Sequence, residues 1–192
     1  INGDLDINAV QLSLESLLSR HEALRTSFAQ NDQHQLIQQV NPDGQLVFVV
    51  RDLQNWQEEE IEKAITEFVM GAFDLSTDTL LRAMLIERGE QHYTLAIVIH
   101  HIASDRWSQD ILQREFLSLY QSITSGQQAE LPPLNLTYAD YANWQRTVFS
   151  QDKLQEQITF WQDYLFQAPE RHSVPTDFAR PLVPGRTSEL LI

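Results

Sequence analysis

The chain has 192 residues, with 13 Lys or Arg against 27 Asp or Glu and a net charge of −14. With 42 % hydrophobic residues, nine Phe, five Tyr and four Trp, it is too apolar for a disordered acidic tail and suits a folded domain of ordinary size. The absence of cysteine excludes disulfides, thiolate nucleophiles and Cys-based zinc sites, and the acidic balance without any basic run argues against nucleic acid. No apolar run reaches the ~18–20 residues of a membrane span, so the expectation is a soluble, cytoplasmic chain with neither nucleic acid nor membrane as partner.

Asp6 is placed to cap a helix whose residues Ile7, Val10, Leu14, Leu17 and His21 recur at threes and fours. Three short strand-like runs follow, Arg25–Phe28, Leu36–Val40 and Leu46–Val50, the last two separated by a turn at Pro42-Asp43-Gly44. A second helix is predicted from Trp56 to Phe73, striped by Ile61, Ile65, Phe68, Val69 and Phe73, with Glu58, Glu59 and Glu60 where the helix dipole favours negative charge. Leu80–Glu87 and His92–His100 read as strands joined in a hairpin at Arg88-Gly89-Glu90. A third helix is predicted from Arg106 to Ile123, ending near Gly126. Leu131-Pro132-Pro133 makes a stiff connection to two more helices, Tyr138–Phe149 and Leu154–Phe166. Their stripes carry Tyr141, Trp144 and Trp161, expected in a core. From Pro169 to Gly185, four Pro and one Gly in seventeen residues read as a linker or arm, and Thr187–Ile192 opens another apolar stretch. Strands interleaved with helices predict an α/β chain, an α+β sandwich with helices packed on a mixed sheet.

Chemistry concentrates in Leu95–Ser108. Leu95–Ile99 reads as a strand buried on both faces, and it ends in His100 and His101. Successive strand side chains point to opposite faces, so one histidine serves a cleft and the other joins the packing. Asp105 stands where a helix N-cap belongs, and a nearby carboxylate or carbonyl also suits a histidine that needs its tautomer held. The spacing does not suit a metal, and Ser104 lacks the Gly-x-Ser-x-Gly elbow of a serine nucleophile. A histidine base without a protein nucleophile points to direct acyl transfer to an incoming hydroxyl, thiol or amine. His101 with Asp105 gives His-x3-Asp, while His100 with Asp105 gives the His-x4-Asp spacing of glycerolipid acyltransferases, and spacing alone leaves both open.

The surrounding sequence resembles the condensation domain of nonribosomal peptide synthetases. His100-His101-Ile102-Ala103-Ser104-Asp105-Arg106 follows that family's His-His-x3-Asp-Gly motif except at its last position. Arg20-His21-Glu22-Ala23-Leu24-Arg25-Thr26-Ser27-Phe28 and Tyr138-Ala139-Asp140-Tyr141-Ala142-Asn143-Trp144-Gln145 match two further blocks in the expected order. The resemblance implies a chloramphenicol-acetyltransferase-like lobe, with residues 1–168 as the N-terminal lobe, incomplete at its start, and 169–192 as a linker or arm and the start of a second lobe. It implies amide-bond formation between an aminoacyl or peptidyl thioester donor and an aminoacyl acceptor, in secondary metabolism. Its partners would be donor and acceptor peptidyl carrier domains, the second lobe and an adjoining adenylation domain. No cofactor is bound intrinsically, the substrates riding on phosphopantetheine arms of the carriers.

By the same resemblance His101 faces the reaction centre and is the catalytic residue. His100, Asp105 and Arg25 support the site, with Arg25 the candidate ion-pair partner of Asp105. Arg106, Trp107 and Ser108 are candidate channel or acceptor contacts, and Ser104 with Trp107-Ser108 looks most like the subtype joining two L-configured residues. The fragment is expected to be inactive alone. An alternative is a condensation-like docking module for carrier or tailoring proteins, motivated by Arg106 in place of glycine. A carrier-independent acyltransferase using a free alcohol or amine is the third reading.

Overall fold

The computed structural model describes residues 1–149 and 151–169. The proline-rich arm beyond Pro169 and the stretch Thr187–Ile192 lie outside the described residues. The chain divides into two compact units, Ile1–Tyr141 and Ala142–Ile192.

The first unit is built around strand β4 (Leu81–Gly89), which pairs in parallel with β3 (Val47–Asp52) and antiparallel with β5 (His92–Ile99). The sheet is therefore mixed, as expected. Side chains alternate along a strand, and each face of β4 meets its own helices. Leu81 and Ala83 pack with Leu14, Leu17 and Leu18 of α1 (Ile7–Arg20) and Leu112 of α3 (Arg106–Ser125). Met84 and Ile86 pack on Ile61 and Ala64 of α2 (Glu58–Met70). Ala83, Met84, Leu85 and Ile86 are all 0 % exposed. Truncating a side chain such as Met84 to Ala there costs about 2–5 kcal/mol, because the packed sandwich cannot collapse into the void.

One expectation is corrected. Leu95–Ile99 is not buried on both faces: β5 lies at the end of its three-stranded sheet, has no fully buried residue, and exposes Ile97 by 41 %. The neighbouring run in β4 takes that place, because α1 and α3 cover one of its faces and α2 the other. The predicted hairpin between the two strands is present, with a register irregularity between Glu87 and Gly89.

β1 (Thr26–Gln30) and β2 (Leu36–Val40) form a separate antiparallel ribbon that sets Phe28 opposite Gln38. Asp6 caps α1 as predicted, its carboxylate accepting from the Ala9 N–H at 2.9 Å. α3 ends at Gly126, whose φ of +70° is the left-handed conformation glycine adopts without a Cβ clash.

α4 (Tyr138–Val148) begins in the first unit and runs into the second, which also holds α5 (Gln151–Leu165). On α5 the rings of Phe160, Trp161 and Tyr164 contact one another. The core assignment of the aromatic stripes is also corrected: Tyr141, Trp144 and Trp161 are 47 %, 54 % and 54 % exposed. Helical spacing defines a face; it does not supply what covers that face.

Candidate active site

β5 stops at Ile99, and the chain turns at once. The His100 N–H donates to the Leu80 carbonyl at 3.0 Å, and the His100 carbonyl accepts from the Ala103 N–H at 3.0 Å. Within this turn the backbone assigns the two histidines opposite tautomers. The Nδ1–H of His101 donates to the Ser104 carbonyl at 2.6 Å, and since a carbonyl only accepts, the neutral ring keeps its lone pair on Nε2. Nδ1 of His100 instead accepts from the Ile102 N–H at 3.0 Å, so its proton sits on Nε2. His101 is exposed, whereas His100 is partly buried with its ring against Phe73, centroids 5.6 Å apart at 83°. One histidine thus serves a cavity and the other the packing, but a turn rather than strand alternation separates them.

The cavity beside His101 has a volume of about 370 Å³, within the range of small-molecule sites. Thr26 and Phe28 of β1, Gln38 of β2 and Tyr138 at the start of α4 line it together with His101 and Ser108. Tyr138 is placed there by a reciprocal cap. The Thr137 hydroxyl accepts from the Asp140 N–H at 3.2 Å, and the Asp140 carboxylate accepts from the Thr137 N–H at 2.8 Å. The acid of the Tyr-x-Asp-Tyr block is thus a helix-capping group, and its bonds from the Thr137 N–H and hydroxyl hold its carboxyl below the usual value.

Asp105 is the N-cap of α3. Its carboxylate accepts from the Ser108 hydroxyl at 2.7 Å and the Ser108 N–H at 2.8 Å, and these bonds lower its pKa from the ordinary value. The expected ion pair with Arg25 is absent from this structure. Arg25 donates instead to the Ser19 carbonyl, near the C-terminus of α1, at 3.3 and 3.2 Å, and to the Asn41 carbonyl at 3.2 Å. It also lies 3.8 Å from Glu22. Carbonyls in the last turn of a helix have no partner within it and attract a nearby guanidinium. Arg25 therefore ties α1 to the β2–β3 connection next to Thr26.

Of the three candidate contacts, Ser108 lines the cavity; Arg106 and Trp107 do not. Both sit exposed in the first turn of α3, Trp107 by 77 %. Arg106 has no positive φ, so the backbone here makes no demand that only glycine meets.

The sequence reading missed Glu115. Buried on α3, its carboxylate accepts from Arg20 Nε at 3.1 Å and Nη2 at 3.2 Å and lies 2.6 Å from His21 Nε2. Arg20 Nη2 also donates to the Pro132 carbonyl, fastening the proline connection that leads to Tyr138. Burial pushes the Glu115 pKa up, but the hydrogen bonds and charges of His21 and Arg20 outweigh it and hold the carboxyl below its usual value. A signal was there: Glu115 interrupts the apolar run Leu112, Phe116, Leu119, and an acid on a buried stripe demands a partner.

Among the described residues no group of three or more His, Cys, Asp or Glu could hold a metal ion, and no helix is long and apolar enough to cross a membrane.

A mixed sheet with helices packed on its faces is the fold of a chloramphenicol-acetyltransferase-like lobe. The chain belongs to the condensation-domain family, whose model, Condensation domain, matches residues 1–189. It is 36 % identical over 187 residues to a linear gramicidin synthase of Brevibacillus parabrevis, covering 95 % of this chain and 2 % of that protein. Malpinin synthetase of Mortierella alpina is 36 % identical over 183 residues, covering 94 % of this chain and 2 % of the synthetase. Among solved structures, the complex of the X-domain and OxyB from teicoplanin biosynthesis matches with a TM-score of 0.79 and 30 % identity, covering 95 % of this chain and 40 % of that chain. The chain thus spans a small fraction of the synthetases and under half of the X-domain chain. Condensation domains are acyltransferases of nonribosomal peptide synthesis, and amide-bond formation is their reaction.

Proposed function

We propose that this chain is the histidine-bearing lobe of a condensation domain, acting with a second lobe and with donor and acceptor peptidyl carrier domains beside an adenylation domain. The acceptor's α-amine attacks the carbonyl carbon of the donor's thioester, giving a tetrahedral intermediate with a negatively charged oxygen. The C–S bond then breaks, and the donor's phosphopantetheine sulfur leaves with the proton given up by the amine. The new amide joins the donor's acyl group to the acceptor residue, which stays on its own arm through its own thioester. An α-amine has a pKa of about 7.7–8.0, so a useful fraction is neutral near pH 7 and no strong base is needed. His101 Nε2 receives the amine's proton or holds the amine in line. The observation that carries this reading is the Ser104 carbonyl, which leaves that nitrogen as an acceptor at a cavity. His100 and Asp105 hold the turn and the start of α3.

The test is mass spectrometry of products formed by the full-length protein with loaded donor and acceptor carriers. A dipeptidyl product supports condensation. Carrier binding without product supports the docking module, which the likeness to an X-domain solved with OxyB favours as a second reading. Transfer to a free alcohol or amine supports a carrier-independent acyltransferase.

A further inference from the structure

Behind the histidine turn lies a residue that no motif marks. α2 ends at Met70 without a basic residue in its last turn, so its final carbonyls need donors from elsewhere. Arg82, on the α2 side of β4, supplies them. Its Nη1–H donates to the Ala72 carbonyl at 3.2 Å, and Nη2–H donates to the Phe68 carbonyl at 3.0 Å and to the Gly71 carbonyl. The guanidinium also lies over Phe73, 4.2 Å from the ring centroid, and Phe73 is the ring that meets His100 edge to face. Gly71 leaves room for this pose, since a Cβ there would come within 3.1 Å of Nη2. The Nε of Arg82 is buried with no partner among the described residues, so the pose is set by the fork and the ring rather than by full satisfaction of the side chain.

We propose that Arg82 is a positioning residue for the reaction: it gathers the C-terminal carbonyls of α2 and clamps Phe73 against His100, fixing from behind the turn that presents His101. The chain of contact is short and physical. Guanidinium stacks on Phe73, Phe73 packs on His100, and His100 receives the Ile102 N–H inside the same turn that bonds His101 to Ser104. Lysine cannot substitute, because its three donors radiate from one point and it offers no plane to stack. The inference rests on the reading of His101 as the reactive histidine.

The experiment compares Arg82→Gln and Phe73→Leu in the full-length protein, the second keeping the carbonyl contacts and removing the ring. Misplacing a catalytic group is expected to lower kcat by about 10-fold with KM within about 2-fold in both variants. The imidazole 15N signals of His100 should also change from a single Nε2–H form to a mixture. Wild-type kcat and an unchanged His100 signal in both variants would overturn the proposal, and so would lost thermal stability with neither readout moved. Should Arg82→Gln fail to fold, Phe73→Leu carries the test. If His101→Ala keeps full turnover, the functional reading falls, and the His100 signal alone decides whether Arg82 holds the turn.

Discussion

At the Arg20–His21–Glu115 cluster, a histidine nitrogen lies 2.6 Å from a carboxylate that an arginine also grips, and both side chains are largely buried. At the His100–Asp105 turn the carboxylate goes to Ser108 and each histidine to the backbone. The first arrangement binds α1 to α3 and gives its histidine a carboxylate partner. The second leaves His101 exposed, its ring held by one nitrogen and its other nitrogen open as an acceptor. A histidine and an acid close in sequence thus do not pair, while a histidine and an acid 94 residues apart do. The histidine proposed for the chemistry is the one that lines the cavity, and the one that meets a carboxylate joins two helices.

This contrast can be broken most directly at His101. His101→Ala is expected to lower condensation turnover by about 10²–10⁴-fold while leaving urea stability within about 0.5 kcal/mol, since the side chain is exposed. Comparable loss of stability would erase the distinction.

The opposite signature is expected at Glu115→Ala. Removing the shared carboxylate strands Arg20 and His21 and costs about 2–4 kcal/mol in chemical denaturation. The pH dependence has a definite sign. A carboxyl whose pKa is lower in the folded state contributes stability that is complete above its unfolded value and is lost as pH falls through its folded value. Wild-type stability should therefore fall as pH drops below the ordinary carboxylate range, and Glu115→Gln should flatten that fall. A variant as acid-sensitive as wild type would remove Glu115 from the account.

A smaller effect separates capping from ion pairing at Asp105. Asp105→Ala should lower Tm by about 3 °C through loss of the cap, while Asp105→Asn, which can still accept from Ser108, should stay near wild type. Loss of Tm equal to that of the alanine variant in Asp105→Asn would show that charge matters there. The smallest effect is expected at Arg106→Gly: stability within about 0.5 kcal/mol and no gain in condensation rate, because Arg106 is an exposed first-turn residue outside the cavity. A clear gain in rate would mean that Arg106 obstructs the channel.

Local order was legible wherever one short stretch contains its own cause. The caps at Asp6 and Asp105 follow from a polar side chain beside its own helix start, and the β4–β5 hairpin from two apolar runs around Gly89. The motif blocks likewise pointed to the family and its fold. Tertiary structure decided what depends on groups distant in sequence. β4 rather than β5 became the doubly buried strand because helices cover both of its faces. Arg25 turned to α1 and Asn41, Glu115 gathered Arg20 and His21, and Arg82 crossed from β4 to the end of α2. A hydrogen-bond donor takes the nearest unsatisfied acceptor in space, and which acceptor is near is set by how the helices and sheet stack. Sequence alone therefore placed two histidines at a strand end before a capped helix; the tertiary structure put them in a turn, with His101 lining the cavity and His100 packed against Phe73.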